Sequence, residues 1–130
     1  MGVPAAKKGD RVVGTDVHIL MVSSPGGPVP TPTPMPFTGE IDGDLSADIQ
    51  CEDQPLALQG STASNKPEHI PAAGPFQKQP SNKATIQMGS STVMANDKPV
   101  ARAGDTALTC NDPADAPNGS VVAVGTVMVG

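Results

Sequence analysis

One short phrase occurs three times along this chain and constrains its fold more than any other feature. Each copy consists of a proline, an alanine two positions later and a glycine five positions after the proline. The copies begin at Pro4, Pro55 and Pro99. A phrase that recurs in this way is typical of a fold built from similar structural units. We therefore expect three equivalent units within one domain that spans residues 1–130.

The segments before two of the copies resemble each other as well. Residues 40–51 precede Pro55 and residues 85–95 precede Pro99, and both have the pattern of two short alternating strands around a glycine. Nothing comparable can precede Pro4, but residues 121–130 show the same pattern. The third unit is therefore predicted to be split between the ends of the chain, with Met1 and Gly130 close together.

The composition favours an all-β fold with many turns. The chain has 15 prolines and 14 glycines, and no segment shows the apolar period of a helix, so little or no helix is expected. Hairpins are predicted over residues 37–61 and 83–105. Phe37 and Phe76 are the only aromatic residues, so the core is thin. A core of this kind usually needs a metal or a partner for stability.

Prolines recur throughout residues 25–36. Because proline has no N–H group to donate to a β-ladder, we expect a stiff crossing loop in polyproline II conformation. The alternative is a peptide ligand for a proline-recognition domain, which would make the protein a binding or adhesion module. Such motifs are weak and compositional, so the loop interpretation is preferred.

The net charge limits the possible partners, and the N-terminal residues indicate the compartment of synthesis. The formal net charge is -5, which disfavours a nucleic-acid partner. No apolar stretch follows Lys7 and Lys8, so no signal peptide is predicted and synthesis in the cytoplasm is expected. In that compartment, two cysteines more often indicate free thiols or a metal than a disulfide.

The two histidines occupy the same position in two of the repeats, because His18 and His69 each lie nine residues after the repeat glycine. Pseudo-threefold symmetry would bring these positions together at the axis. The third repeat has Pro113 at this position, with Cys110 three residues before it. A lone histidine on a strand is more often hydrogen-bonded than metal-bound, but the shared position favours a ligand role. Imidazole and thiolate suit zinc, so His18, His69 and Cys110 are the predicted ligands.

The second cysteine has a different expected role. Cys51 aligns with Ala95 and Val129, which are apolar strand positions. A buried core position is therefore preferred for Cys51 over a ligand position. A disulfide between Cys51 and Cys110 ranks last for a cytoplasmic chain.

These phrases resemble the proline-alanine-alanine-arginine motif of PAAR-repeat proteins. Residues 4–7 and 99–102, each followed by Gly-Asp, match it best, and the similarity covers nearly the whole chain. The chain looks most similar to PAAR-like tip proteins of contractile injection systems, either the extracellular phage-tail-like kind or type VI secretion. The resemblance implies a small cone of β-hairpins with pseudo-threefold symmetry. Its base would sit, one copy per trimer, on a trimeric β-helical spike of the valine-glycine-repeat type.

The resemblance also implies a zinc ion at the tip. The usual ligands in that family are three histidines and one cysteine, and His18, His69 and Cys110 match three of them. Where related sequences tend to have the remaining histidine, this chain has Met35. A thioether is a weak zinc ligand and suits copper better. The fourth ligand therefore stays open between Met35, Cys51, water and none.

The implied function is mechanical, namely to sharpen and seal the spike for membrane puncture. The tip would contact the target membrane transiently, would be extracellular after release or firing, and could travel beside effectors. Apolar strand residues are expected at the base, such as Ile86, Val93, Val122, Val124 and Val127.

The alternative is a small zinc-dependent hydrolase, because two histidines, a cysteine and an open position also form a catalytic pattern. Glu68 or Asp16 would then be the general base. The sequence has no HExxH motif and few residues to shape a substrate cleft, so we expect no enzymatic activity.

Overall fold

The computed structural model describes residues 2–130, and their regular secondary structure is entirely β. No helix that could cross a membrane is found in this part of the chain. The expected all-β fold without helix is confirmed. In chain order, the strands are β1 (Val3–Pro4), β2 (Arg11–Val22), β3 (Val29–Gly43), β4 (Gln50–Cys51), β5 (Gln54–Pro55), β6 (Thr62–Asn65), β7 (Lys83–Ile86), β8 (Met94–Ala95), β9 (Lys98–Pro99), β10 (Thr106–Thr109), β11 (Ala116–Val122) and β12 (Met128–Val129).

Six strands form one closed antiparallel sheet, in the order β10, β11, β2, β3, β6, β7. The other six form three two-stranded ribbons, β1–β12, β4–β5 and β8–β9. The main core is packed among the strands of the closed sheet and includes Val12, Phe37, Ile41 and Ile86. Most of its other members are alanines, which agrees with the thin core expected from the composition.

The three repeats meet at a ring of backbone hydrogen bonds. The N–H of Ala6 donates to the carbonyl of Ala101, Ala101 donates to Ala57, and Ala57 donates back to Ala6, at 2.9–3.0 Å. All three alanines are 0% exposed. Because three backbones converge here, only a small side chain fits, and this explains the alanine two positions after each proline. The closed ring confirms the predicted pseudo-threefold arrangement.

The glycine and the residue after it build the same turn in every repeat. The three glycines have φ values of 90–95°, which favour a residue without Cβ. The side chain that follows each glycine accepts a hydrogen bond from the backbone N–H three residues before it, at 2.9–3.0 Å. The side chains that accept are Asp10, Ser61 and Asp105. The Gly-Asp or Gly-Ser pair is therefore a structural signal for the turn.

The three ribbons occupy equivalent places, and one of them joins the two ends of the chain. Pro4 pairs with Met128 in the same way that the repeat prolines of β5 and β9 pair with the first residues of β4 and β8. Val3 pairs with Val129. The split third unit is thereby confirmed, although the predicted place of Met1 lies outside the described residues.

We call the face made by the three ribbons the base. Cys51, Ala95 and Val129 hold equivalent positions there, and they pack into a single apolar cluster together with residues of the three repeats. Cys51 is 4% exposed. The preference for a core position at Cys51 is therefore confirmed, and both cysteines are free rather than joined in a disulfide.

The proline segment does not form the expected polyproline loop. Val29–Gly43 is a continuous strand that pairs with β2 from Val22 down to Arg11. The prolines at positions 30, 32, 34 and 36 alternate with other residues and are exposed. In an antiparallel pair, alternate residues direct their N–H groups to opposite sides, so every missing donor lies on the edge away from β2. The prediction was wrong because alternate spacing removes proline's conflict with a ladder.

Two further expectations need correction. The predicted hairpins are present only as the β4–β5 and β8–β9 ribbons, since residues 37–43 and 83–86 pair with other strands of the closed sheet. Ile86 is 1% exposed and belongs to the main core, not to the base. Local patterns identified the strands but could not identify their nonlocal partners, and these partners decide which face is buried.

A circular permutant tests the split unit. Joining Gly130 directly to Gly2 would create a two-residue turn like those of the two intact ribbons, and new ends would be opened between Asn96 and Asp97. We expect this permutant to unfold cooperatively, with a thermal midpoint within about 5 °C of the parent, or about 1 kcal/mol for a chain of this size. Circular dichroism during heating measures the midpoint.

The control permutant has the same junction but opens its new ends in the middle of β2, which forms part of the closed sheet. It should lose cooperative unfolding, because the longest strand pair is cut. Equal damage in both permutants would contradict the equivalence of the three ribbons.

Candidate metal centre

The long hairpin of β2 and β3 extends away from the base. Strand β2 begins directly after the first repeat turn, at Arg11, and His18 follows seven residues later. At about 3.3 Å per residue, this separation is about 23 Å along the strand. His18 therefore lies far from the ribbons, and we call the part of the molecule around it the apex.

Four side chains converge at the apex. One potential ligand atom from each of Asp16, His18, His69 and Cys110 lies within 4.8 Å of the others. These side chains belong to residues that are between 0% and 9% exposed. The structure thus brings together the three residues singled out from the sequence and adds Asp16. We call these four residues the metal centre, because the group could hold a metal ion.

Asp16 is the hydrogen-bonding hub of the centre. Its Oδ2 accepts hydrogen bonds from Nε2 of His69 at 2.8 Å and from Sγ of Cys110 at 3.2 Å. The rings of His18 and His69 are tilted, with their centroids 5.0 Å apart. All four side chains are therefore oriented toward one small volume by contacts among themselves.

Several buried polar atoms at this place have no hydrogen-bond partner. They are Oδ1 of Asp16 and both ring nitrogens of His18, and no other buried side-chain atom within residues 2–130 is left unpaired. Leaving a buried polar atom unpaired costs about 1–3 kcal/mol, so such atoms call for an explanation, and an ion is one of the usual ones. The clustering of these atoms at the four converging side chains fits a metal ion.

Strand geometry places Asp16 and His18 together. They are two residues apart on β2, and alternate residues of a strand share one face. Cys110 follows the last residue of β10 directly, and β10 belongs to the same closed sheet. The closed sheet therefore positions three of the four side chains, two on a strand and one directly after a strand.

His69 lies in the loop after β6, and two buried asparagines hold it in place. Oδ1 of Asn82 accepts hydrogen bonds from the backbone N–H of His69 at 2.9 Å and from Nδ2 of Asn65 at 3.1 Å. Nδ2 of Asn65 also lies 3.3 Å from Nδ1 of His69. Both ends of the loop thus fix the imidazole against Asp16.

Burial controls the protonation of the centre. Burial, together with the hydrogen bond to Asp16 and its charge, raises the pKa of the Cys110 thiol to about 12, although the N–H groups of Asn82 and Lys83 act against the rise. Burial, together with His69, lowers the pKa of His18. At neutral pH and without a cation, the raised pKa favours a neutral thiol at Cys110 and the lowered pKa favours a neutral imidazole at His18. A metal ion reverses the preference of the thiol, because its positive charge stabilises the thiolate.

The sequence had suggested Asp16 only as a possible general base of a hydrolase. Its place two residues before His18 was the available signal, because a strand puts both residues on one face. Met35 is the direct partner of Asp16 across the β2–β3 pair and is 8% exposed, so it lies beside the centre. Cys51 lies in the base, far from the other candidates.

Searches of protein-family models, of curated proteins and of solved structures found no match to this chain. The chemistry of the donor set is therefore the main guide. One carboxylate, two imidazoles and one thiolate are ligand types found at tetrahedral zinc sites. Thiolate and imidazole together disfavour magnesium and calcium, which prefer oxygen ligands only.

Thiol reactivity tests the burial of both cysteines. In protein kept free of metal by a chelator, we expect neither Cys51 nor Cys110 to react with Ellman's reagent at pH 8, since they are 4% and 2% exposed and burial raises the pKa of each. Both should react at once in guanidinium without reductant, because they are free. A fast-reacting thiol in the native Cys51→Ala variant would contradict the burial of Cys110.

Proposed function

We propose that this chain is the tip protein of a contractile injection system, which caps and sharpens a trimeric β-helical spike for membrane puncture. The observation that supports this function best is the closed ring of hydrogen bonds among three repeats of one chain. One copy of a chain with threefold pseudosymmetry can match the three equivalent chain ends of a trimer and still taper to a single point. Three separate chains with bulky ends could not form such a point. The protein is a structural component and not an enzyme.

The base has apolar residues at symmetric positions. Ile49, Val93 and Val127 are equivalent, because the carbonyl of each accepts a hydrogen bond from the residue after the repeat proline. They are 39%, 39% and 44% exposed, and the neighbouring Met94 and Met128 are 57% and 56% exposed. Apolar residues that recur around an axis suit a partner that presents three identical chain ends. The partner proposed here is a trimeric spike protein of the valine-glycine-repeat type.

We assign zinc to the metal centre as a structural ion. Structural zinc sites have four protein ligands, whereas catalytic sites keep one position open to substrate. The four residues of this centre are at most 9% exposed, which favours a closed structural site over the hydrolase alternative. Asp16 supplies the fourth ligand, so neither Met35 nor Cys51 is required. Zinc bound there would cross-link β2, the loop after β6 and the segment after β10, and so compensate for the thin core.

Elemental analysis of the purified, untagged protein tests the metal. We expect about one zinc ion per chain, and loss of that zinc in the Asp16→Asn and Cys110→Ser variants, since each removes one of four ligands. Chelation should lower the melting temperature of the wild type, because a bound metal stabilises only the folded state.

The matched controls are Cys51→Ala and Met35→Leu, which change the other two candidate ligands. Both should retain the zinc. Zinc that persists in Asp16→Asn but is lost in Met35→Leu would contradict the assigned ligand set. A wild-type protein that binds no zinc would overturn the metal assignment altogether.

Native mass spectrometry with a trimeric spike protein of the same particle tests the docking. We expect a complex of one copy of this chain with three spike chains. Val93→Asp should abolish the complex, because it puts a charge into the apolar base. Ile70→Asp is the control, since Ile70 is 74% exposed but lies next to His69 at the apex. A complex with three copies of this chain, or equal loss in both variants, would contradict the proposal.

A further inference from the structure

We propose that Asp112 is a positioning residue of the metal centre, whose carboxylate fixes the imidazole of His18 so that Nε2 binds the metal. Asp112 is not one of the four converging side chains. This inference rests on the zinc site proposed above. It adds a residue outside the ligand set that orients one ligand and tunes its affinity for the metal.

The backbone and side chain of Asp112 are both attached to β2. Its N–H donates to the carbonyl of Val17 at 2.9 Å, and its Oδ2 accepts from the N–H of Ile19 at 2.9 Å. These two residues flank His18 on the strand. The adjacent Asn111 accepts a hydrogen bond from the N–H of Val17 at 2.7 Å. The short segment after Cys110 therefore binds the free edge of β2 at the level of His18.

This attachment sets the carboxylate against one particular nitrogen. Oδ2 of Asp112 lies 3.6 Å from Nδ1 of His18, and the two side chains are 4% and 1% exposed. The separation is longer than a hydrogen bond, so the contact is electrostatic. No group in residues 2–130 forms a hydrogen bond with Nδ1 of His18. A proton on Nδ1 is thus favoured by a buried negative charge, which leaves the lone pair of the imidazole on Nε2.

The environment of the second histidine is different. Nδ1 of His69 faces the uncharged amide of Asn65 at 3.3 Å, and its Nε2 faces Asp16. Of the two histidines, only His18 therefore has the carboxylate of a residue outside the metal centre beside one of its ring nitrogens. Metal-ligating histidines commonly donate their other N–H to a carboxylate, which fixes the tautomer and strengthens the ligand. Removal of such a partner typically weakens metal affinity by about 10- to 100-fold.

The Asp112→Asn variant tests the inference. Asparagine retains an oxygen that can accept from the N–H of Ile19 but removes the charge. Zinc affinity would be measured by competition with a chromophoric chelator, and stoichiometry by elemental analysis. We expect the stoichiometry of the wild type and an affinity at least about 10-fold weaker. The matched control is Asp115→Asn, an exposed acid in the same segment, which should leave the affinity unchanged.

Nitrogen-15 NMR of the zinc-loaded wild type reports which ring nitrogen of His18 carries the proton and which binds the metal. This measurement needs no variant, and a purely structural role of Asp112 would not determine its result. We expect His18 to carry its proton on Nδ1 and the metal on Nε2. Metal on Nδ1, or equal zinc affinity in Asp112→Asn and wild type, would overturn the positioning role. Complete loss of zinc in Asp112→Asn at saturating metal would overturn it too, by making Asp112 a ligand. A wild type that binds no zinc would instead mark failure of the proposed metal site itself.

Discussion

The ring of backbone hydrogen bonds among Ala6, Ala57 and Ala101 is the constraint on which the rest of the structure depends. It requires a small residue in each repeat, because three backbones meet there. The turns and ribbons next to the ring adopt equivalent conformations in the three repeats. Directional bonds of this kind specify a unique arrangement where the apolar core is too sparse to do so alone. The same ring gives the base its pseudo-threefold character, and the proposed attachment to a trimer follows from that character.

The apex differs from the base because it contains buried polar groups, and the thin apolar core offers them no hydrogen-bond partners. Asp16 pairs with His69 and Cys110, while both nitrogens of His18 remain unpaired. Such a group is costly unless something binds it. A bound metal ion would give these groups a partner and would cross-link three segments of the chain. The fold therefore combines a base specified by symmetry with an apex whose buried polar side chains could hold a metal ion.

The hairpin of β2 and β3 links these two ends. Its prolines leave the edge away from β2 without donors, a feature that protects an exposed strand edge from pairing with other chains. On the edge of β2 away from β3, β11 pairs with the first residues of the strand, and the segment at Asn111 and Asp112 binds it near His18. Asn111 and Asp112 thus complete the hydrogen bonding of β2 near His18, and Asp112 is also the residue proposed to position the imidazole.

The sequence by itself determined the three repeats, the split unit and the all-β class, because a repeated phrase implies repeated units. It also supplied the candidates His18 and His69 at one repeat position, and Cys110 three residues before that position in the third repeat. The core position of Cys51 followed in the same way. Only the tertiary structure decided that Asp16 joins the centre, that Ile86 is in the core and that the prolines form a strand. Each of these depends on which strands pair and in what register, and pairing over long sequence separations is set by packing and not by local pattern.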